Sequence, residues 1–103
     1  MSRLYTLSPE AKQDIIGIRD FYVAEAGART ARYVLGEITR AMVFLAATPG
    51  AGHSRADFTS KAVKFWPVFS YLVVYDPTRQ PIAVVRVLHG SRNLERLFLA
   101  HPI

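Results

Sequence analysis

The sequence predicts an α+β fold: a two-layer sandwich in which an αα-hairpin packs on a mainly antiparallel sheet. The expected order is β-α-α-β-β-β, followed by a short C-terminal element. Three observations predict it. Apolar residues recur at helical spacing through the first half of the chain. The period then switches from 3.6 to 2 in the second half. The two helical stretches are separated by too little chain for anything but an antiparallel pair. Such a pair must bury its apolar stripe, and the sheet is the only surface available, so residues 1–103 form a single domain.

The elements follow in order. Arg3-Leu4-Tyr5-Thr6-Leu7 is a short strand candidate. Ser8 can accept a bond from an orphan N–H, Pro9 suits the first helical position, and Glu10 favours the positive end of the dipole. Ala11, Ile15, Ile18 and Tyr22 then form an apolar stripe with Ile16 beside it. Lys12, Asp14, Arg19, Asp20 and Glu25 are assigned to the wet face, and Gly27 to the stop. From Ala28 to Ala47 a second stripe runs through Ala31, Leu35, Ile38, Met42 and Leu45, widened by Val34 and Ala41. Thr48-Pro49-Gly50 ends it, because Pro49 disfavours helical geometry at the residue before it. Residues 51–60 read as a loop. Lys61–Trp66, Tyr71–Tyr75 and Ile82–His89 read as strands rich in Val, Ile and aromatics. Pro67 marks an edge or a turn. Along the last strand, strict alternation places Ile82, Val84, Arg86 and Leu88 on one face. An unpaired arginine is costly to bury, so that face is expected to be the open one. Residues 93–99 are left as a short helix or a strand extension.

Composition narrows the function classes. The chain has 103 residues, 13 Lys+Arg against 8 Asp+Glu, and a formal charge of +5. Most of that charge lies in residues 51–103. Half of the chain is hydrophobic, and there is no cysteine. A disulfide framework and thiolate chemistry are therefore excluded. No apolar run approaches the ~20 residues needed to span a bilayer. No charged n-region with a long apolar h-region opens the sequence, so the expectation is a cytoplasmic protein without membrane contact. Surplus apolar surface on a small basic domain points to a protein partner and to an acidic or nucleic-acid surface.

The densest chemistry is RVLHGSRNLER, Arg86 to Arg96. His89 titrates near neutral pH, and Arg86, Arg92 and Arg96 could hold phosphate, with Gly90 allowing a sharp turn. The alternative is a histidine that caps a strand end among ordinary surface pairs. His53, His89 and His101 are too scattered for a metal site, and no phosphate-binding glycine loop or nucleophile elbow occurs. No metal and no cofactor is expected.

These residues resemble the RelE/ParE toxins of bacterial type II toxin–antitoxin systems, the ParE branch above all. The resemblance rests on Phe65-Trp66-Pro67-Val68, Tyr71-Leu72-Val73-Val74-Tyr75 and Arg86-Val87-Leu88-His89-Gly90-Ser91-Arg92-Asn93. Asn93 departs from the aspartate that the branch often carries. The resemblance implies a toxin that arrests growth and stabilises plasmids. It implies a ParD-like antitoxin as hetero-oligomeric partner and DNA gyrase as target, with nucleic acid contacted only indirectly. The RelE branch instead cleaves ribosome-bound mRNA. Arg92 matches that branch's arginine after the strand-end glycine, and Arg86 and His89 would complete the set. Leu72 and Phe98 stand where the nuclease has an arginine and a tyrosine, and phenylalanine has no hydroxyl to move a proton. The gyrase reading is therefore preferred. Target contact is expected at Arg86, His89, Arg92, Arg96 and Phe98. Antitoxin contact is expected at Ile15, Ile18, Tyr22, Leu35 and Arg86.

Overall fold

A computed structural model describes residues 4–54 and 62–90. The elements are β1 (Tyr5–Leu7), α1 (Pro9–Ala26), α2 (Ala28–Ala47), a 3-10 turn (Pro49–Ala51), β2 (Lys64–Val68), β3 (Tyr71–Asp76) and β4 (Ile82–His89). The sheet order is β1-β4-β3-β2, with β1 parallel to β4 and the other pairs antiparallel. The first and last strands in sequence thus lie side by side, and the helical hairpin carries the chain from β1 to β2 at the opposite edge.

The helix boundaries follow the local signals. The Ser8 hydroxyl accepts the Ala11 N–H at 2.9 Å, with Pro9 in the first turn. Gly27 alone links the helices. Its φ of 91° is a conformation that a side chain would oppose, and its N–H returns to the Val23 carbonyl. The α2 stripe buries Ala31, Val34, Ile38, Met42 and Leu45 against the sheet. On α1, Ala11 and Ile18 are buried, while Ile15 and Tyr22 pack against the core edge. Ile16 lies outside the stripe and is exposed.

Tyr75 pins the connection after α2 to the sheet. It is fully buried on the helix-facing side of β3. Its hydroxyl donates to the Pro49 carbonyl at 2.6 Å and accepts the Gly52 N–H at 2.9 Å. His53 then pairs with Phe65 through both main-chain bonds, at 2.8 and 2.7 Å. That bridge occupies the outer edge of β2. Pro67, two residues on, turns the same way and has no N–H to offer. The strand expected over residues 61–66 therefore runs from Lys64 to Val68 and contains Pro67, because on an edge strand the missing donor costs the ladder nothing. The hairpin to β3 turns at Phe69 and Ser70. Phe69 takes the positive φ, 55°, that a two-residue loop demands.

Strict alternation fails in β4. Val74 pairs with Arg86 but the adjacent Tyr75 pairs with Val84, leaving Val85 as an extra residue. This bulge resets the parity of the strand. Ile82, Val84 and Val87 join the helix-facing core. Val85 and Leu88 instead join a second apolar cluster on the opposite face, with Val63, Phe65, Leu72 and Val74. The expectation that Ile82, Val84, Arg86 and Leu88 share one face is corrected accordingly.

Candidate functional site

β1 covers β4 only as far as Val84, so the edge of β4 beyond it needs other partners. Residues at the start of α1 supply them. The Ser8 N–H donates to the Val84 carbonyl at 3.0 Å, and its hydroxyl donates to the Val85 carbonyl at 2.7 Å. One turn further, Asp14 turns its carboxylate to the same edge. Its Oδ2 accepts the Val87 N–H at 2.9 Å and the Arg86 Nε at 2.8 Å, and its Oδ1 accepts the Arg86 Nη2 at 3.0 Å. Both side chains are mostly buried, at 22% and 16% exposure for Arg86 and Asp14. These bonds push the Arg86 guanidinium further up from its already high range.

The Arg86 guanidinium is therefore not left open among apolar neighbours, as alternation suggested, but is paired with Asp14 at the strand edge. Asp14 is not a wet-face residue either. Arg86 stands opposite Val74 in the register, and its long side chain reaches α1 by way of the β4 edge that Asp14 also meets. A signal for Asp14 existed in the sequence: it lies three residues after Ala11 and four before Ile18, on the buried stripe itself.

Beside this clasp a pocket of about 630 Å³ opens between α1 and the end of the β3–β4 pair. Its walls include Asp14, Ile18, Phe21, Tyr22, Tyr71 and His89. The structure thus brings together Ile18 and Tyr22, expected to meet an antitoxin, and His89, expected to meet a target. Phe21 and Gln13 line the pocket without having been singled out in sequence, and Tyr71, the head of a strand motif that carried the resemblance, lines it as well. Phe21 is 56% exposed and edge-on to Tyr22. The His89 ring stands edge-on to Tyr71 at 5.4 Å. Gly90 follows tightly, its N–H donating to the Ser70 carbonyl. A Cβ at Gly90 would stand 3.2 Å from that same oxygen, so glycine is suited by close approach. Ile15 and Leu35 pack against the core rather than lining the pocket. Arg92, Arg96 and Phe98 lie outside the described residues, as does the expected C-terminal element at 93–99. Among the described residues no cluster of metal-ligating side chains occurs, and no helix is long and apolar enough to cross a membrane.

The floor of the pocket is sensitive to alkali. Burial, and then the hydrogen bond with Tyr22, push the Tyr71 phenol up to about 12. An unfolded tyrosine ionises near pH 10, so the unfolded chain loses this proton first. The stabilisation from Tyr71 is full below pH 10 and is lost as pH rises through about 12. Denaturant midpoints measured across this window should fall for the wild type, and fall less for Tyr71→Phe. Parallel pH profiles for the two proteins would contradict the assignment.

Comparison with known proteins places this geometry. The model of the ParE toxin of type II toxin–antitoxin systems, parDE, matches residues 5–94. A solved structure titled as the chromosomal ParDE toxin–antitoxin system from P. aeruginosa is similar, with a TM-score of 0.71 at 19% identity. The match covers 82% of this chain and 92% of that one. A search of curated proteins finds no match. The family model spans the clasp, the pocket and the strand-end glycine alike, and the chain belongs to the ParE toxin family of type II toxin–antitoxin systems.

Proposed function

We propose that this toxin acts on DNA gyrase by protein contact, and that a cognate ParD-like antitoxin neutralises it by covering the same surface. The observation that carries this reading is the pocket between α1 and β4. It joins Ile18 and Tyr22 to His89 across about seventy residues of sequence in one concave wall. A segment bound along α1 would then occlude the end of β4, and with it the residues expected to reach the target.

The reading as an mRNA endonuclease draws on Arg86 as a phosphate ligand. The guanidinium of Arg86 is held by both carboxylate oxygens of Asp14. That arginine is more naturally a structural cation than a ligand for the substrate. The net positive charge of the chain serves the gyrase reading equally well, since it attracts an acidic antitoxin segment.

Phe21 allows a direct test, because it is exposed and its removal leaves no core cavity. Purified toxin should capture gyrase, and a cognate ParD-like antitoxin should displace it. Phe21→Asp should weaken both interactions about tenfold or more, the loss expected for an aromatic anchor, with thermal stability unchanged. A ternary complex of toxin, antitoxin and gyrase would refute the shared surface. Rapid cleavage of translated messages after induction, seen by primer extension, would favour the ribonuclease instead.

A further inference from the structure

Two large aromatic rings stand side by side outside the core. Tyr33 lies near the start of α2, and Phe69 lies in the turn between β2 and β3. Their rings are 6.1 Å apart and tilted by 49°, so neither covers the other's face. They are 62% and 57% exposed. Phe69 is the less expected of the two. Its φ of 55° suits glycine or asparagine, and a bulky side chain is strained there. A turn residue that is strained, apolar and more than half exposed gains little for the fold. Strain of this kind gathers where a side chain has a ligand to meet.

The surroundings specify the ligand. Arg29 lies one helical turn before Tyr33 on the same face of α2, and Arg32 immediately precedes the ring. Both arginines are exposed, and neither has an ion-pair partner among the described residues. The first turn of α2 holds no acidic residue to balance them. Glu37, one turn beyond Tyr33, is already held by Arg40 at 3.1 Å. Between them stands Gly36, where a Cβ would meet nothing within 4 Å. Packing does not call for glycine there, and helix propensity opposes it. Its missing side chain leaves the flank of the Tyr33 ring clear.

We propose that this patch binds single-stranded DNA, with Tyr33 and Phe69 as platforms for unpaired bases and Arg29 and Arg32 as phosphate contacts. Exposed rings beside unpaired cations are the two parts such a site needs: the rings stack on any base, and the arginines follow the backbone. A duplex fits poorly, because its bases already stack on one another. An acidic polypeptide would meet the arginines but leave the rings without flat partners. A second copy would set its own Arg29 and Arg32 against these. The resemblance implied only indirect contact with nucleic acid, whereas this patch supplies a direct one. DNA is chosen over RNA because gyrase would present DNA to a toxin bound beside it, and in that choice alone the inference rests on the gyrase reading. Neither Tyr33 nor Phe69 lines the α1–β4 pocket, so a strand can lie here while a protein fills the pocket.

Fluorescence anisotropy of a labelled oligothymidine, titrated with the full chain at low salt and without gyrase, tests it. Tyr33→Ala and Phe69→Asn should each weaken binding about tenfold, the loss of one stacked base. Both positions are exposed, alanine favours the helix and asparagine suits the positive φ, so thermal stability should not fall. Arg29→Gln with Arg32→Gln should flatten the slope of log affinity against log salt by about 1.4, the share of two phosphates on a single strand. Three results would overturn the proposal. One is no binding at about 100 μM toxin, the weak end of non-specific affinity. Another is binding indifferent to both ring substitutions, which is charge attraction alone. The third is oligouridine, or polyglutamate of equal charge, binding more tightly through the same two rings, which would assign the patch to RNA or to an acidic protein. Capture of gyrase in the absence of DNA should be unchanged by either ring substitution, so the two readings can fail separately.

Discussion

Asp14→Ala is expected to lower the stability of the toxin by about 3 kcal/mol, at the lower end of the range for breaking a buried ion pair. One carboxylate satisfies three donors, at 2.8, 2.9 and 3.0 Å. Its removal leaves a mostly buried guanidinium without a counter-charge and the Val87 N–H without an acceptor. Those penalties exceed the small worth of an exposed pair, such as Arg19 with Asp20, whose side chains are 54% and 65% exposed. Arg86→Met should cost less, because Asp14 keeps its bond to Val87 and the methionine chain fills the arginine's path. The double variant should be more stable than Asp14→Ala alone. Urea unfolding with an unchanged slope is the appropriate measurement. A loss below about 1 kcal/mol for Asp14→Ala, the value typical of a surface pair, would show that the clasp is not structural.

The second large effect is expected at Gly52. A Cβ there would stand 2.5 Å from the Tyr75 Oη and 2.8 Å from a carbon of its ring. Tyr75 is fully buried and cannot yield without disturbing Leu45 and Val84 in the same cluster. Gly52→Ala should therefore displace the ring and break both hydrogen bonds of the hydroxyl, costing about 2–4 kcal/mol, the combined scale of overpacking and of an orphaned buried hydroxyl. Tyr75→Phe separates the two contributions. It removes the hydroxyl but keeps the packing, and should cost about 1–2 kcal/mol for the unpaired Pro49 carbonyl and Gly52 N–H. If Gly52→Ala in the Tyr75→Phe background remains as costly as in the wild type, the clash lies with the ring rather than the hydroxyl.

Why the helices were legible and the strands less so is clear from these residues. Ser8, Pro9, Gly27 and Pro49 act within one turn of where they sit, so their meaning needs no tertiary context. The α2 stripe is long enough for its period to be unambiguous. The face of β4, by contrast, depends on a bulge that only its pairing with Val74 and Tyr75 reveals. A single inserted residue exchanges the two faces beyond it, which is why Ile82 and Val84 face the helices while Leu88 joins the opposite cluster. Pro67 marked an edge correctly, but its place inside β2 depends on its nitrogen facing outward, which only the pairing with β3 reveals. Asp14 was hidden by its chemistry, since a carboxylate on an apolar stripe reads as exposed until a cation from a strand seventy residues away is brought to meet it. Of the candidate site, Ile18, Tyr22 and His89 were found from sequence, while Phe21 and Gln13 needed the third dimension.

Gyrase poisoning by this ParE-family chain is proposed to run through the face that joins α1 to the end of β4. DNA supercoiling by purified gyrase should be followed with increasing toxin, with a cognate ParD-like antitoxin added in a parallel series. Inhibition is expected at micromolar toxin, reversed by stoichiometric antitoxin and lost with Phe21→Asp. Full supercoiling activity at micromolar folded toxin, with translated messages cleaved in cells instead, would contradict it.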